Sequence, residues 1–408
     1  MGRHILKAVG IAALLVANAL PALADPHPPA TRVARQEPSS TCVLNSLLGR
    51  VGPSSGGRKV GLVIDVSGSM ATNDPQNLRL TAAKSLNDAL ISQSEASSSQ
   101  AADLVDVVAF SDVADVLYPL GDPAGANSII DGIVLGYNTA IGGGIQAAIE
   151  DLTAPGNDPT ANRTGIIVFT DGQDYPTSGK ALTLSETQRA ASLGIRVSFG
   201  FLTPTPQNQD VEILRAILQS GGIYATIDQA STQQAFVALV LANGLTNLDV
   251  AGVNATGTLL PGISTAKFLQ TGTNSFTYAA QAGETFNVTV EALDPIALMV
   301  TLRDVSANTD IVSNTTDASG IAVVGYTAPS AMDVEVVVVA TNASTGIFSV
   351  GLNSSIPLNE TCNVTVTSPP TAQPSVYTGG AVSAWQGTTN LFAALTSILG
   401  LAVMAAML

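Results

Sequence analysis

The chain has 408 residues, 46% of them hydrophobic and 12% charged, and its 16 Lys and Arg face 31 Asp and Glu for a formal charge of −15. Such an acidic balance excludes a nucleic-acid binder, because that affinity rests on neutralising phosphates with clustered cations. The two histidines, His4 and His27, lie within the first 27 residues, which leaves no histidine to serve as the base of a nucleophilic site elsewhere in the chain.

Arg3, His4 and Lys7 precede an apolar run from Ala8 to Leu20, which ends on Ala22-Leu23-Ala24. This order reads as a secretory signal over residues 1–24, with the mature chain starting at Asp25. The run is too short to span a membrane comfortably. Loss of Arg3 and Lys7 takes the formal charge to −17. Residues 25–57 form an N-terminal linker, and the Pro-rich stretch 25–41 has too little apolar surface to build a core.

A first domain is expected over 58–245. The unbroken apolar run Val60 to Ile64 predicts a buried strand, and Asp65-Val66-Ser67-Gly68-Ser69 follows where the chain leaves it. One carboxylate and two hydroxyls on a single turn suit a hard divalent cation, although an Asp/Ser run after a strand also serves as a polar turn or helix cap. Asp74-Pro75 reads as a helix start, with Leu78, Ala82, Leu86 and Ala89 on one face. Val105 to Ala109 predicts a second strand, followed by Phe110-Ser111-Asp112. Tyr137 to Gly144 is a loop carrying Thr139 ahead of the helix-like run Ile145 to Ile149. Gly165 to Phe169 predicts another buried strand, closed by Thr170-Asp171-Gly172.

Later strands are expected near Arg196 to Leu202 and Ile223 to Ile227, and helices near Gln209 to Gln219 and Thr232 to Gly244, with Phe110, Phe169 and Phe199 in the core. Alternating strands and helices predict an α/β fold, a doubly wound, mostly parallel sheet. Ligands bind such sheets in the crevice beyond the strand carboxyl ends. Asp65, Ser67, Ser69, Thr139 and Asp171 are therefore expected to converge there from three loops.

With these residues in that order, positions 58–245 resemble a von Willebrand factor type A domain carrying a metal-ion-dependent adhesion site. The pattern is Asp-x-Ser-x-Ser, a distant Thr, and Thr-Asp-Gly after a later strand. The resemblance implies Mg²⁺, or Mn²⁺ or Ca²⁺, held directly by Ser67 and Ser69 and directly or through water by Thr139, Asp65 and Asp171. It also implies one open coordination position, filled by an Asp or Glu of a partner. Tyr137, Asn138, Gln173, Asp174 and Tyr175 flank the motif and are candidate rim residues, each also readable as ordinary loop surface.

From 248 to 362 short Val/Thr-rich runs replace the helical pattern: Phe276 to Tyr278, Thr285 to Val290, Leu298 to Leu302, Ile321 to Tyr326, Val334 to Ala340 and Ile347 to Leu352. Their spacing predicts a smaller antiparallel β-sandwich. Ala282 to Val290 and Tyr326 to Pro329 loosely resemble the accessory domain at the C-terminus of some secreted bacterial peptidases, a jelly-roll-like module without protease chemistry. Eight Asn-x-Ser/Thr sequons, at Asn162, Asn254, Asn287, Asn314, Asn342, Asn353, Asn359 and Asn363, point to a glycosylated extracellular surface. Cys42 and Cys362 are the only cysteines and, in an oxidising compartment, are expected to pair; free or intermolecular thiols are the alternative.

Residues 363–379 are rich in Ser, Thr and Pro and read as a stalk. Residues 380–408 pass from small residues through a polar spacer into the apolar stretch Leu391 to Leu408, with no Lys or Arg beyond it. That order matches a glycosylphosphatidylinositol (GPI) attachment signal with the lipid placed on Gly379; Gly380, Ala381 and Ser383 would also serve, and a retained membrane helix is the competing reading.

These features predict a secreted, lipid-anchored, non-enzymatic surface protein that binds an extracellular protein ligand through a divalent cation. The second expectation is a structural cell-wall or surface-coat glycoprotein in which the cation only stabilises the fold. A hydrolase accessory subunit is a weaker third.

Overall fold

The computed structural model describes residues 56–161, 163–172, 174, 179–202, 210–227, 230–246, 257–269, 273–341 and 345–356. Contacts divide the chain into Met1–Thr41 and Cys42–Leu408, and every described residue belongs to the second unit.

The first half alternates strands and helices. Strands β1 (Lys59–Asp65), β2 (Leu104–Phe110), β4 (Thr164–Thr170), β5 (Ile195–Phe201) and β6 (Tyr224–Thr226) are parallel, and β3 (Ala114–Gly121) returns antiparallel to β2 along the edge. The helices are α1 (Met70–Asn73), α2 (Leu78–Asn87), α3 (Ala126–Asp131), α4 (Ile141–Leu152), α5 (Lys180–Ser192), α6 (Val211–Gln219) and α7 (Ala230–Leu239). Alternation along the all-apolar β1 explains the layering. Val60, Leu62 and Ile64 pack with residues of α2, α3 and α7 on one face, while Val63 packs with α4, α5 and α6 on the other. Phe110, Phe169 and Phe199 are buried as expected.

Two helices differ from expectation at their ends. Asn77 sits at φ 54°, so α2 starts at Leu78 rather than at Pro75. Asp74 still caps it, accepting from the Leu78 amide at 2.6 Å and from the Arg79 guanidinium at 2.6 Å. Beyond α7 the chain widens into a π-helical turn, Val240–Gly244, rather than continuing as α-helix. The Ser198 hydroxyl bonds the Gly244 carbonyl there.

The second half contains β7 (Ser264–Leu269), β8 (Thr273–Ala280), β9 (Thr285–Ala292), β10 (Leu298–Asp304), β11 (Thr309–Thr315), β12 (Ile321–Thr327), β13 (Met332–Ala340) and β14 (Gly346–Ser354). All pair antiparallel with one another. Apolar residues alternate inward along them, and Phe276, Phe286, Val300, Val336 and Phe348 fill one core between two sheets. One sheet runs β11-β10-β13-β8. The other is not separate, because β7 pairs with β6 through Ala225 and Thr265. A single ten-stranded sheet, β12-β9-β14-β7-β6-β5-β4-β1-β2-β3, therefore crosses both halves. Leu214, Ile217 and Tyr224 share a buried cluster with Ala266 and Ile347, and Arg215 pairs with Asp294 at 2.8 Å across the same junction.

Asp106, in the middle of β2, is wholly buried beside Gly61, and neither carboxylate oxygen has a hydrogen-bond partner. Burial first, and the Asp151 carboxylate second, push its pKa well above the usual carboxylate range.

Asn287, Asn314 and Asn353 are exposed on the sandwich strands; the other five sequons lie outside the described residues, as do Cys42, Cys362, the leader, the stalk and Gly379. Among the described residues no helix is long and apolar enough to cross a membrane.

Candidate metal centre

β1 ends on Asp65, in register with Phe110 at the end of β2, and β4 ends one residue before Asp171. The parallel strands therefore deliver both carboxylates to the same sheet edge. Burial on the strand leaves each carboxylate dependent on local donors. Asp65 is fully buried; its Oδ1 accepts from the Ser67 amide at 2.7 Å and its Oδ2 from the Thr170 hydroxyl at 2.7 Å. Burial raises the Asp65 pKa to about 6 against the opposing pull of the Ser67 and Thr170 hydrogen bonds. The Ser67 and Ser69 hydroxyl oxygens are 3.0 Å apart, and the Ser69 hydroxyl donates to Asp171 Oδ1 at 3.0 Å. Asp65, Ser67, Ser69 and Asp171 thus meet in one hydrogen-bonded cradle, closed on the protein side by buried Ser67 and open to solvent at exposed Ser69.

Thr139 comes from a third loop that is pinned to the same turn. The Gly68 amide donates to the Tyr137 carbonyl at 2.9 Å, and the Gly136 amide to the Val66 carbonyl at 2.5 Å. Thr139 follows two residues after Tyr137 and is itself buried. Gly136 has to be glycine, since a side chain there would collide with Ser111. The glycine run after Thr139 belongs to α4 rather than preceding it. Gly144 lets that helix lie directly against Phe110 and Val63, and Gly142 lets it touch Leu182 and Thr183 of α5.

Two residues of the site differ from, or escape, the sequence reading. Asp174 is not at the rim. It is buried, accepts from the Ile141 amide at 2.9 Å and from the Thr183 hydroxyl at 2.6 Å, and so caps the N-terminus of α4 behind the cradle; burial raises its pKa. Asn73, at the end of α1, donates to Asp171 Oδ2 at 2.9 Å and occupies the oxygen that Ser69 leaves free. Tyr137 is 86% exposed, and Asn138 is also at the surface, its amide donating to Asp112. Gln173 and Tyr175 lie outside the described residues.

The donors are two carboxylates and hydroxyls, a hard-oxygen set. Among the described residues there is no group of three or more His, Cys, Asp or Glu able to hold an ion, so any cation here depends on the serine and threonine oxygens.

The family model of the von Willebrand factor type A domain matches residues 60–173. No curated protein matches the chain. Among solved structures, the chain is similar to the conserved hypothetical protein BatB from Bacteroides thetaiotaomicron, at 22% identity over 45% of this chain and 96% of that one, with a TM-score of 0.34. It is also similar to proximal thread matrix protein 1 from the mussel byssus, solved with a zinc-occupied MIDAS motif, at 19% identity over 46% of this chain and 47% of that one, TM-score 0.36. A third similarity is to the pre-peptidase C-terminal domain of a collagenase from Bacillus anthracis, at 13% identity over 24% of this chain and 90% of that one, TM-score 0.21. Residues 60–173, from β1 through the cradle, thus match a von Willebrand factor type A domain, and its mostly parallel sheet continues into an antiparallel β region.

Proposed function

We propose that the chain is a cell-surface binding or adhesion protein that captures an acidic side chain of a protein partner through a divalent cation held by Asp65, Ser67, Ser69, Thr139 and Asp171. The observation that carries this reading is the cradle itself, in which residues 65–69 and Asp171, far apart in sequence, meet at the sheet edge. The Ser67 and Ser69 oxygens stand 3.0 Å apart, a separation set by their own hydrogen bond, which gathers two hard oxygen donors beside Asp171. Ser69 and Asn73 each hold one oxygen of Asp171, while Thr170 and the Ser67 amide hold those of Asp65. With both carboxylates engaged this way, a bound dication stays electrophilic toward one further anionic oxygen.

Binding rather than catalysis is favoured by the histidine content, since His4 and His27 both precede the domain. We place the protein outside the cell, anchored by lipid at Gly379, on the strength of the leader-like and tail-like segments, the sequons and the two cysteines.

The test is capture of partner proteins from matching cell surfaces by the immobilised chain. Capture is expected to collapse in EDTA and to return with Mg²⁺. Capture that survives chelation, with only the melting temperature falling, would replace this reading with the surface-coat one, in which the ion merely holds three loops together.

A further inference from the structure

The rim of the cradle has a chemical character of its own. Val113, Val134, Leu135 and Tyr137 are 63%, 79%, 45% and 86% exposed, the two highest values among the exposed large hydrophobics being Tyr137 and Val134. They are not scattered. Three sit on the loop that delivers Thr139 and the fourth on the β2–β3 turn. Both segments are fastened to the metal turn and to each other: Tyr137 through its carbonyl to Gly68, Gly136 to Val66, Asn138 to Asp112, and Gly136 against Ser111. Apolar side chains held in solvent on a fixed scaffold, grouped and rimmed by polar residues, mark a contact surface.

Charge narrows the occupant. The loop sequences around the cradle, 65–77, 110–115, 132–140 and 171–179, contain no Lys or Arg; of their six Asp, Asp65 and Asp171 would hold the ion, Asp74 pairs with Arg79 and Asp174 is buried behind the cradle, which leaves Asp112 and Asp115 as exposed acids on this face. A bound dication would be the one positive centre on this face. It can satisfy one carboxylate, while a second acid, a sulfated glycan or another polyanion would meet only repulsion from residues such as Asp112. Resting on the reading above, we infer that the partner offers a protein loop with a single Asp or Glu flanked by aromatic or aliphatic side chains. Its acid seats on the ion and its flanks on Tyr137, Val134, Leu135 and Val113.

The experiment selects a displayed random-peptide library on the immobilised full chain in Mg²⁺ and elutes with EDTA. Eluted peptides are expected to share one acid with apolar neighbours and no second acid close by. As synthetic probes they should bind Tyr137→Ser and Val134→Ser at least about tenfold more weakly, the loss expected when an aromatic or apolar anchor is removed from a contact surface. Calorimetric Mg²⁺ affinity of both variants should stay at the wild-type value. EDTA-eluted peptides with polar or basic flanks, or undiminished binding to both variants, would overturn the collar while leaving the cation site standing. Peptides that bind through this face yet resist EDTA would overturn the cation reading and this inference with it.

Discussion

Asp65→Asn is expected to lower divalent-cation affinity by about a hundredfold or more while leaving the metal-free fold intact. The amide is isosteric and keeps an oxygen for the Ser67 amide, and the Thr170 hydroxyl can turn to accept from the new nitrogen; those two groups are the hydrogen-bond partners of the buried carboxylate. What disappears is the negative charge at the end of β1. Even outer-shell groups around an ion are worth roughly tenfold to a hundredfold in affinity, so an acid at the centre of the cradle sets a floor near the top of that range. Calorimetric titration with Mg²⁺ gives the affinity, and a melt in EDTA gives the fold. An affinity within about threefold of wild type would mean that the β1 carboxylate does not hold the ion, a change smaller than any outer-shell effect.

Asp106→Asn is expected to stabilise the protein. The wild-type carboxylate is fully buried with both oxygens unpaired, and burial raises its pKa well above the ordinary value. In the unfolded chain an Asp loses its proton near pH 3.9. Above that pH the unfolded state has released a proton that the folded state retains, so stability falls as pH rises until the folded carboxyl also ionises. The amide carries no such linkage. The amide leaves buried polar atoms unpaired just as the carboxyl does, so the gain is the linkage alone, about 1.4 kcal/mol for each pH unit above 3.9 over which the folded carboxyl keeps its proton, and should reach at least about 2 kcal/mol, or roughly 5 °C in Tm, at pH 7. The gain should shrink as pH approaches 4. Melting curves of both proteins between pH 4 and 8 measure it, and an equal gain at every pH would remove the ionisation argument.

Much of the fold is legible in the chain because its buried strands are nearly pure apolar runs. Val60 to Ile64 and Gly165 to Phe169 announce themselves, and so do the six Val/Thr-rich runs that became β8, β9, β10, β12, β13 and β14. The strands that escaped were those whose surroundings break the pattern. β3 is an edge strand with Asp115 and Pro119 and mostly half-exposed or exposed residues. β11 has no buried residue at all. β7 carries Lys267 and serves two neighbours, β6 and β14, so its faces do not alternate cleanly. For that reason the continuous sheet joining the two halves was invisible.

The cradle was legible for a different reason. Its donors are polar residues placed directly after apolar strands, and a parallel sheet has only one edge at which strand carboxyl ends meet. The supporting groups were harder. Asn73 reads as a polar side chain facing water on a short helix until the fold brings Asp171, 98 positions away, to its amide. Asp174 has the sequence look of an exposed loop acid, and only the start of α4, reaching it through Ile141 N–H, explains why it is buried. Asp106 hides in an otherwise apolar strand, and nothing local shows that the space beside Gly61 holds no donor for it.

The most direct measurement is an anomalous difference map from crystals of the chain soaked in Mn²⁺. A single strong peak should lie roughly 2.1–2.3 Å from the Ser67 and Ser69 oxygens, with Thr139 and the Asp65 and Asp171 carboxylates grouped around it. A featureless map at that point, or manganese bound elsewhere with these five side chains uncoordinated, would contradict the assignment of the β1, β4 and Thr139 loops as a cation site.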